Sequence, residues 1–180
     1  MRGDQPIVAT AATDRLRVLA CVAQHLDVTW LTGAPPWLAL FQRWLAEAVA
    51  ARIPEPNAMV VGTVDADGVP ATRTVLCKGA AAPGITFFTG YESAKGLALA
   101  AHPVASLTFP WIALERQVHF RGAVRKVCAD VTQAYWDSRP RGSQISAYAS
   151  SQSRPIAGRA ELEELAAATA ERFGGVDGDE

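Results

Sequence analysis

Two β-favouring runs, Ala58 to Val64 and Ala71 to Lys78, flank the tetrapeptide Asp65-Ala66-Asp67-Gly68. The Asp side chains and the glycine suit a tight reversal, so this stretch reads as a β-hairpin. Further short strands follow it. Ala80 to Gly84 reads as another turn and Ile85 to Thr89 as a third strand. Val104 to Phe109 and Gln117 to Val127 are two more, joined through Pro110-Trp111. Five or so short strands with turn signals between them point to a small antiparallel barrel.

Helical patterns surround these strands. Pro35-Pro36 suit a helix start, and Trp37, Leu40, Phe41, Trp44, Leu45 and Ala48 recur at helical spacing. An amphipathic helix to about Arg52 is expected, its aromatic stripe facing the core. Ile53-Pro54-Glu55-Pro56 ends it, because proline disfavours helix in the residue before it. Ser93 to Ala101 has helical composition and closes at His102-Pro103. Asp130 to Ser138 restarts helix, Arg139-Pro140-Arg141-Gly142 breaks it, and Ser143 to Ser150 is ambiguous. Arg159 to Phe173 is a last helix. The fold class is mainly β with flanking helices (α+β), in one domain over residues 34–173. Residues 1–33 form a divergent N-terminal segment in which Asp14 caps a short helix reaching His25. Residues 174–180, rich in Gly and acid, are expected to be disordered.

Charge excludes several functions. Against 17 Lys and Arg stand 18 Asp and Glu, a formal net charge of -1, so no global field draws the chain to nucleic acid or an anionic membrane. Apolar runs break well before the ~20 residues that span a bilayer, and a cytoplasmic location is expected. Cys21, Cys77 and Cys128 are far apart without a Cys-x-x-Cys pair, which reads as buried free thiols. His25, His102 and His119 are isolated, so no metal site is expected. With no nucleophile motif, Walker loop or dinucleotide fingerprint, chemistry must come from a cofactor.

Cations inside apolar segments show where that cofactor could sit. Arg73 and Lys78 are five apart on one expected strand, which puts them on opposite faces. Contact with a ligand on one face and protection of an edge strand by charge both suit this segment. Thr89-Gly90-Tyr91-Glu92-Ser93-Ala94-Lys95-Gly96 brings hydroxyls and a Lys to a helix start, a good phosphate site. Ser138-Arg139-Pro140-Arg141-Gly142-Ser143-Gln144 concentrates guanidiniums and hydroxyls in a turn, another anion trap. Three such clusters point to a ligand set carrying two phosphates.

These segments, with Asn57-Ala58-Met59-Val60, Phe87-Phe88-Thr89, Phe109-Pro110-Trp111, Leu114-Glu115-Arg116-Gln117 and Ser151-Gln152-Ser153-Arg154-Pro155-Ile156, resemble the successive blocks of pyridoxamine 5'-phosphate oxidase. Order and spacing match from about Pro35 to Phe173. The resemblance implies a homodimeric split β-barrel holding flavin mononucleotide (FMN) at the subunit interface. It assigns FMN to Arg73, Thr74, Val75, Leu76, Lys78, Phe88, Thr89, Ser93, Lys95, Gln117, Gln152 and Ser153. It assigns the phosphate of pyridoxamine or pyridoxine 5'-phosphate to Lys78, Tyr135, Arg139 and Ser143. The implied reaction passes a hydride to the flavin, which O2 reoxidises to give H2O2.

The sequence departs from the family in places. Ala94 stands where the family often has Arg. The family's later Trp-Gly-Gly and Arg-x-His-Asp-Arg blocks have no counterpart before Glu180, so slow turnover is expected. The alternatives to a working oxidase are a noncatalytic or truncated FMN or pyridoxal phosphate binding protein, and a related flavin or deazaflavin reductase.

Overall fold

The computed structural model describes Ile7–Ala9 and residues 35–174. The expected Asp14 to His25 helix and the tail beyond Gly174 lie outside the described residues. Among the described residues there are seven strands: β1 (Ile7–Ala9), β2 (Ala58–Val64), β3 (Pro70–Leu76), β4 (Gly79–Ala81), β5 (Gly84–Phe87), β6 (Val104–Trp111) and β7 (Arg116–Lys126). They form one sheet in the order β3-β2-β6-β7-β1-β5-β4. The described pairings are antiparallel. Helices α1 (Pro36–Ala50), α2 (Ala94–Ala101), α3 (Ala129–Asp137), α4 (Arg141–Ala149) and α5 (Arg159–Arg172) complete an α+β fold, an antiparallel sheet with flanking helices. The chain divides into two compact units. One comprises the described parts of Ile7–Phe88 and Ala98–Arg125, the other those of Thr89–Leu97 and Lys126–Glu180.

In the first unit the β2–β3 hairpin closes as its sequence requires. Asp65 Oδ1 accepts from Asp67 N at 3.0 Å and Val69 N at 2.8 Å, and Gly68 takes φ 85°. This is an Asx-type reversal followed by a left-handed glycine. On β2, Met59, Val61 and Thr63 are buried, and on β6 so are Ala105, Leu107, Phe109 and Trp111. Period-two burial matches a strand with one face on the core.

Pro36 opens α1, where its missing N–H costs nothing. Trp37, Leu40, Phe41, Trp44 and Ala48 are its buried stripe. The Phe41 ring lies 4.8 Å from Phe109, 5.5 Å from Phe120 and 5.9 Å from Trp111, and Trp37 lies 5.1 Å from Phe120. α1 therefore packs its aromatic face on β6 and β7. Each such side chain contributes about 1.5–3 kcal/mol on burial. After Ala51 the chain turns through Arg52 at φ 55°, and Pro54 prevents further helix.

Three sequence expectations need correction in this unit. β3 stops at Leu76, so Lys78 does not share a strand with Arg73 and the opposite-face argument lapses; Lys78 N instead donates to Thr86 O at 2.8 Å. Gly79–Ala81 is a strand rather than part of a turn, because β5 offers it a partner with Ala81 opposite Gly84. The reversal shrinks to Ala82-Pro83. Pro110-Trp111 is not the connector either: β6 runs through it, with Pro110 opposite Gln117. Registered pairing of β2 with β6 covers only Ser106 to Thr108, so Pro110 removes no ladder bond on that side. The true connector is the 3-10 turn Ile112–Leu114 with Glu115 at φ 53°.

In the second unit, the expected break at Arg139 to Gly142 is confined to Ser138–Pro140. Helix resumes at Arg141 because Pro140 fits a helix start, and α4 resolves the ambiguity of Ser143 to Ser150. The Tyr148 and Phe173 rings meet edge to face at 4.9 Å, tying α4 to the end of α5. Arg141 also donates to Phe173 O. Cys128 corrects the reading of the thiols: it is exposed where α3 begins, and only Cys77 is buried among the described residues. Burial raises the Cys77 thiol above its ordinary pKa.

Candidate anion site

The segment between β5 and α2 gathers the strongest cluster. Ser93 caps α2: its Oγ accepts from Gly96 N at 3.2 Å and donates to Gly90 O at 2.7 Å. Gly96 is required by close approach, since a Cβ there would come within 2.3 Å of Tyr91 O and 2.5 Å of Gly90 O. That tight turn directs the Lys95 side chain back toward Thr89. Lys95 Nζ donates to Thr89 Oγ1 at 3.0 Å and to Gln152 Oε1 at 3.1 Å. Thr89 Oγ1 donates to Gln152 Oε1 at 2.9 Å and lies 3.3 Å from Ser93 Oγ. Thr89, Ser93 and Lys95 are 5%, 1% and 6% exposed, whereas Gln152 is on an exposed loop. An ammonium, two hydroxyls and backbone N–H groups at a helix start make a donor set suited to a phosphate. Ser153, beside Gln152, holds φ 68°, an uncommon value for a non-glycine residue.

A second cluster lies in the same unit. The Arg139 guanidinium carbon is 5.8 Å from the Tyr135 ring centre and 5.4 Å from that of Trp136, within cation–π range. Arg139 Nη2 donates to Ser143 O at 2.9 Å. The sequence therefore names three residues, Tyr135, Arg139 and Ser143, that fold into one place around the α3–α4 break. Gln144 braces it by donating to Trp136 O at 2.8 Å.

Arg73, Thr74, Val75, Leu76, Lys78, Phe88 and Gln117 belong to the first unit. Arg73 is half-buried on β3, and its Nη1 donates to Thr63 Oγ1 at 2.7 Å, Ala71 O at 3.0 Å and Val61 O at 3.3 Å. Burial lowers its pKa from the ordinary arginine value. Val75 and Phe88 are half-buried, while Thr74, Leu76, Lys78 and Gln117 are exposed.

Three participants escaped the sequence reading. Thr63 anchors Arg73 from the neighbouring strand, a pairing visible only once the register sets Val61 opposite Arg73. Gly90 contributes a backbone N–H to Gln152 at 3.4 Å. Lys126 stands 3.8 Å over the Tyr91 ring, and burial raises the Tyr91 pKa. No local pattern signals either of the last two.

Comparisons with known proteins cover most of the chain. A family model described as Pyridoxamine 5'-phosphate oxidase matches residues 45–172. The chain is 64% identical over 148 residues to a protein of Mycobacterium sp. (strain KMS) named pyridoxine/pyridoxamine 5'-phosphate oxidase, covering 82% of this chain and 66% of that one. A protein of Mycolicibacterium smegmatis with the same name is 58% identical over 154 residues, covering 84% and 67%. The chain thus spans about two thirds of the length of these relatives. Among solved structures, PhzG from Burkholderia lata in complex with tetrahydrophenazine-1-carboxylic acid superposes with a TM-score of 0.75 at 26% identity, covering 82% of this chain and 73% of that one. A pyridoxamine 5'-phosphate oxidase-related, FMN binding protein from Nostoc punctiforme gives 0.61 at 19% identity, covering 73% of each chain, and shares the fold.

Proposed function

This chain belongs to the pyridoxamine 5'-phosphate oxidase family, and from that premise we propose that it binds FMN and oxidises pyridoxamine or pyridoxine 5'-phosphate to pyridoxal 5'-phosphate. The observation that carries the reading is the buried Lys95 ammonium beside Thr89 and Ser93 at the start of α2. Those donors fit a phosphate monoester in charge and hydrogen-bonding type. When bound, FMN supplies the hydride acceptor, and O2 takes the electrons away as H2O2.

In this reading Lys95, Thr89 and Ser93 hold the flavin phosphate, with Arg73 adding a second cation. Thr74, Val75, Leu76, Lys78, Phe88, Gln117, Gln152 and Ser153 complete the flavin contacts. Lys78, Tyr135, Arg139 and Ser143 grip the substrate phosphate. The closeness of the Arg139 guanidinium to the Tyr135 and Trp136 rings and its bond to Ser143 O support this role, because they hold the cation beside the α3–α4 break. Holding the phosphate end orients the substrate, and orientation accounts for much of the protein's share of such a reaction. A homodimer with FMN at its interface and a cytoplasmic location belong to the same proposal.

The similarity to PhzG favours a second reading, a flavin enzyme of this fold acting on another aromatic acid. Its 26% identity against 64% for the vitamin B6 oxidase relative puts it behind. The deciding experiment reads the flavin absorbance bands of the purified chain, then peroxide release on adding pyridoxamine 5'-phosphate. Flavin bands with peroxide support the oxidase. Bands without peroxide leave a noncatalytic flavin binder or the second reading, and failure to take up added FMN overturns the flavin assignment.

A further inference from the structure

The exposed Lys126 places its ammonium nitrogen 3.8 Å from the centre of the Tyr91 ring. That is well inside the ~6 Å within which the face of an aromatic ring attracts a cation. Burial raises the Tyr91 hydroxyl pKa, so the lysine faces a neutral phenol and the contact is cation–π rather than an ion pair. Both residues belong to the second unit.

Tyr91 stands in the turn that leads into α2. Ser93 N donates to Gly90 O at 3.2 Å across that turn, and of its two central residues Glu92 is exposed and Tyr91 half-buried. The Tyr91 main chain lies against the first turn of α2, where a Cβ on Gly96 would come within 2.3 Å of Tyr91 O. Gly96 follows Lys95, whose Nζ donates to Thr89 Oγ1 at 3.0 Å. A continuous path of contacts therefore runs from Lys126 through the Tyr91 ring and main chain to the helical turn that carries Lys95. We propose that Lys126 is a positioning residue for the phosphate site: by holding the Tyr91 ring it fixes the Gly90–Ser93 turn and, through it, the Lys95 ammonium. This inference rests on the assignment of Lys95, Thr89 and Ser93 to the flavin phosphate. It adds a cation that acts on the ligand only through Tyr91.

A bare surface cation–π contact would steady the fold without favouring one ligand over another. Positioning of Lys95 instead weakens or strengthens the phosphate-bearing flavin and spares riboflavin, because only the former uses the ammonium. Two further comparisons separate positioning from direct attraction of the phosphate by a second charge. Arginine at position 126 keeps a cation over the ring, since guanidinium also binds an aromatic face. Removal of the ring cuts the path while leaving the Lys126 charge in place, so a double-mutant cycle reads how far the lysine works through Tyr91.

The test titrates FMN and riboflavin by flavin fluorescence into the flavin-free full chain, Lys126→Ala, Lys126→Arg, Tyr91→Leu, the Lys126→Ala and Tyr91→Leu double variant, and Lys95→Ala. Thermal unfolding verifies that each is folded. Lys126→Ala is expected to bind FMN roughly three- to tenfold more weakly, with riboflavin within about twofold. Lys126→Arg should restore most of the FMN affinity, and the double variant should bind FMN no more weakly than Tyr91→Leu alone. An unchanged ratio of FMN to riboflavin affinity in Lys126→Ala overturns the proposal, and this comparison stands even where Tyr91→Leu does not fold. A full further loss when Lys126→Ala is added to Tyr91→Leu also overturns it, since the lysine then acts on the phosphate without the ring. If Lys95→Ala weakens both flavins equally, or the unsubstituted chain takes up neither, the phosphate assignment itself fails and the positioning role with it.

Discussion

Lys95 Nζ lies 3.0 Å from Thr89 Oγ1, and both side chains are more than nine-tenths buried. An ammonium and a hydroxyl held side by side in a buried place are donors of the kind a phosphate takes. Lys95→Ala should weaken FMN far more than riboflavin, which lacks the phosphate. A charge-assisted contact is worth about 1.5–3 kcal/mol, so the expected loss is roughly tenfold or more, read by flavin fluorescence titration. Equal weakening of both flavins would remove the phosphate from this site. Arg73→Ala should show the same selectivity and also lower thermal stability, since Arg73 Nη1 bonds Thr63 and two carbonyls of the hairpin.

Arg139 connects the two helices of the second cluster, within cation–π range of Tyr135 and Trp136 and bonded to Ser143 O. Arg139→Ala should cost about tenfold or more in pyridoxal 5'-phosphate affinity and leave FMN affinity within twofold. Absorbance titration of the coenzyme product against flavin fluorescence separates the two. Parallel losses would mean that the variant disturbs the whole unit rather than a phosphate contact.

Gly96→Ala probes the turn that aims Lys95. The new Cβ would meet the main-chain oxygens of Tyr91 and Gly90, which cannot step aside as a flexible side chain could. Destabilisation of about 1–3 kcal/mol is expected from such overpacking, together with loss of FMN selectivity over riboflavin. Chemical denaturation gives the first and fluorescence titration the second. A variant as stable as the unsubstituted chain would show that the close approach is relieved in solution.

Glu47 receives hydrogen bonds from Arg116 and Arg43, and the bond from Arg116 is the main reason its pKa is lowered. A carboxylate lowered in the folded state stabilises it above the unfolded pKa of about 4.3, and that contribution is lost as pH falls through the folded value. The pair is partly exposed, so solvent screening limits it to about 0.2–1 kcal/mol. Glu47→Gln should therefore lower the urea midpoint at pH 7, with the difference closing as acid protonates the carboxylate in the folded state. A difference that persists at acid pH would point to packing instead.

The hairpin at Asp65 to Gly68, the amphipathic α1 and the two phosphate-suited clusters were legible in the sequence because each is local. An Asx reversal, an apolar stripe at helical spacing and a Ser-capped helix are specified by residues a few positions apart. What local pattern could not decide came from partners far along the chain. β4 is a strand only because β5 pairs with it, and β6 runs through Pro110 because β2 has already parted from it there. Lys78 left its expected strand for the opposite reason, since the β2 partnership ends at Ala58 opposite Leu76. Gln152 reaches Lys95 across 57 residues, and Thr63 reaches Arg73 through strand register. Hydrogen-bond complementarity between distant segments is a property of the folded chain, so only the tertiary structure reveals that Gln152 meets Thr89 and Lys95.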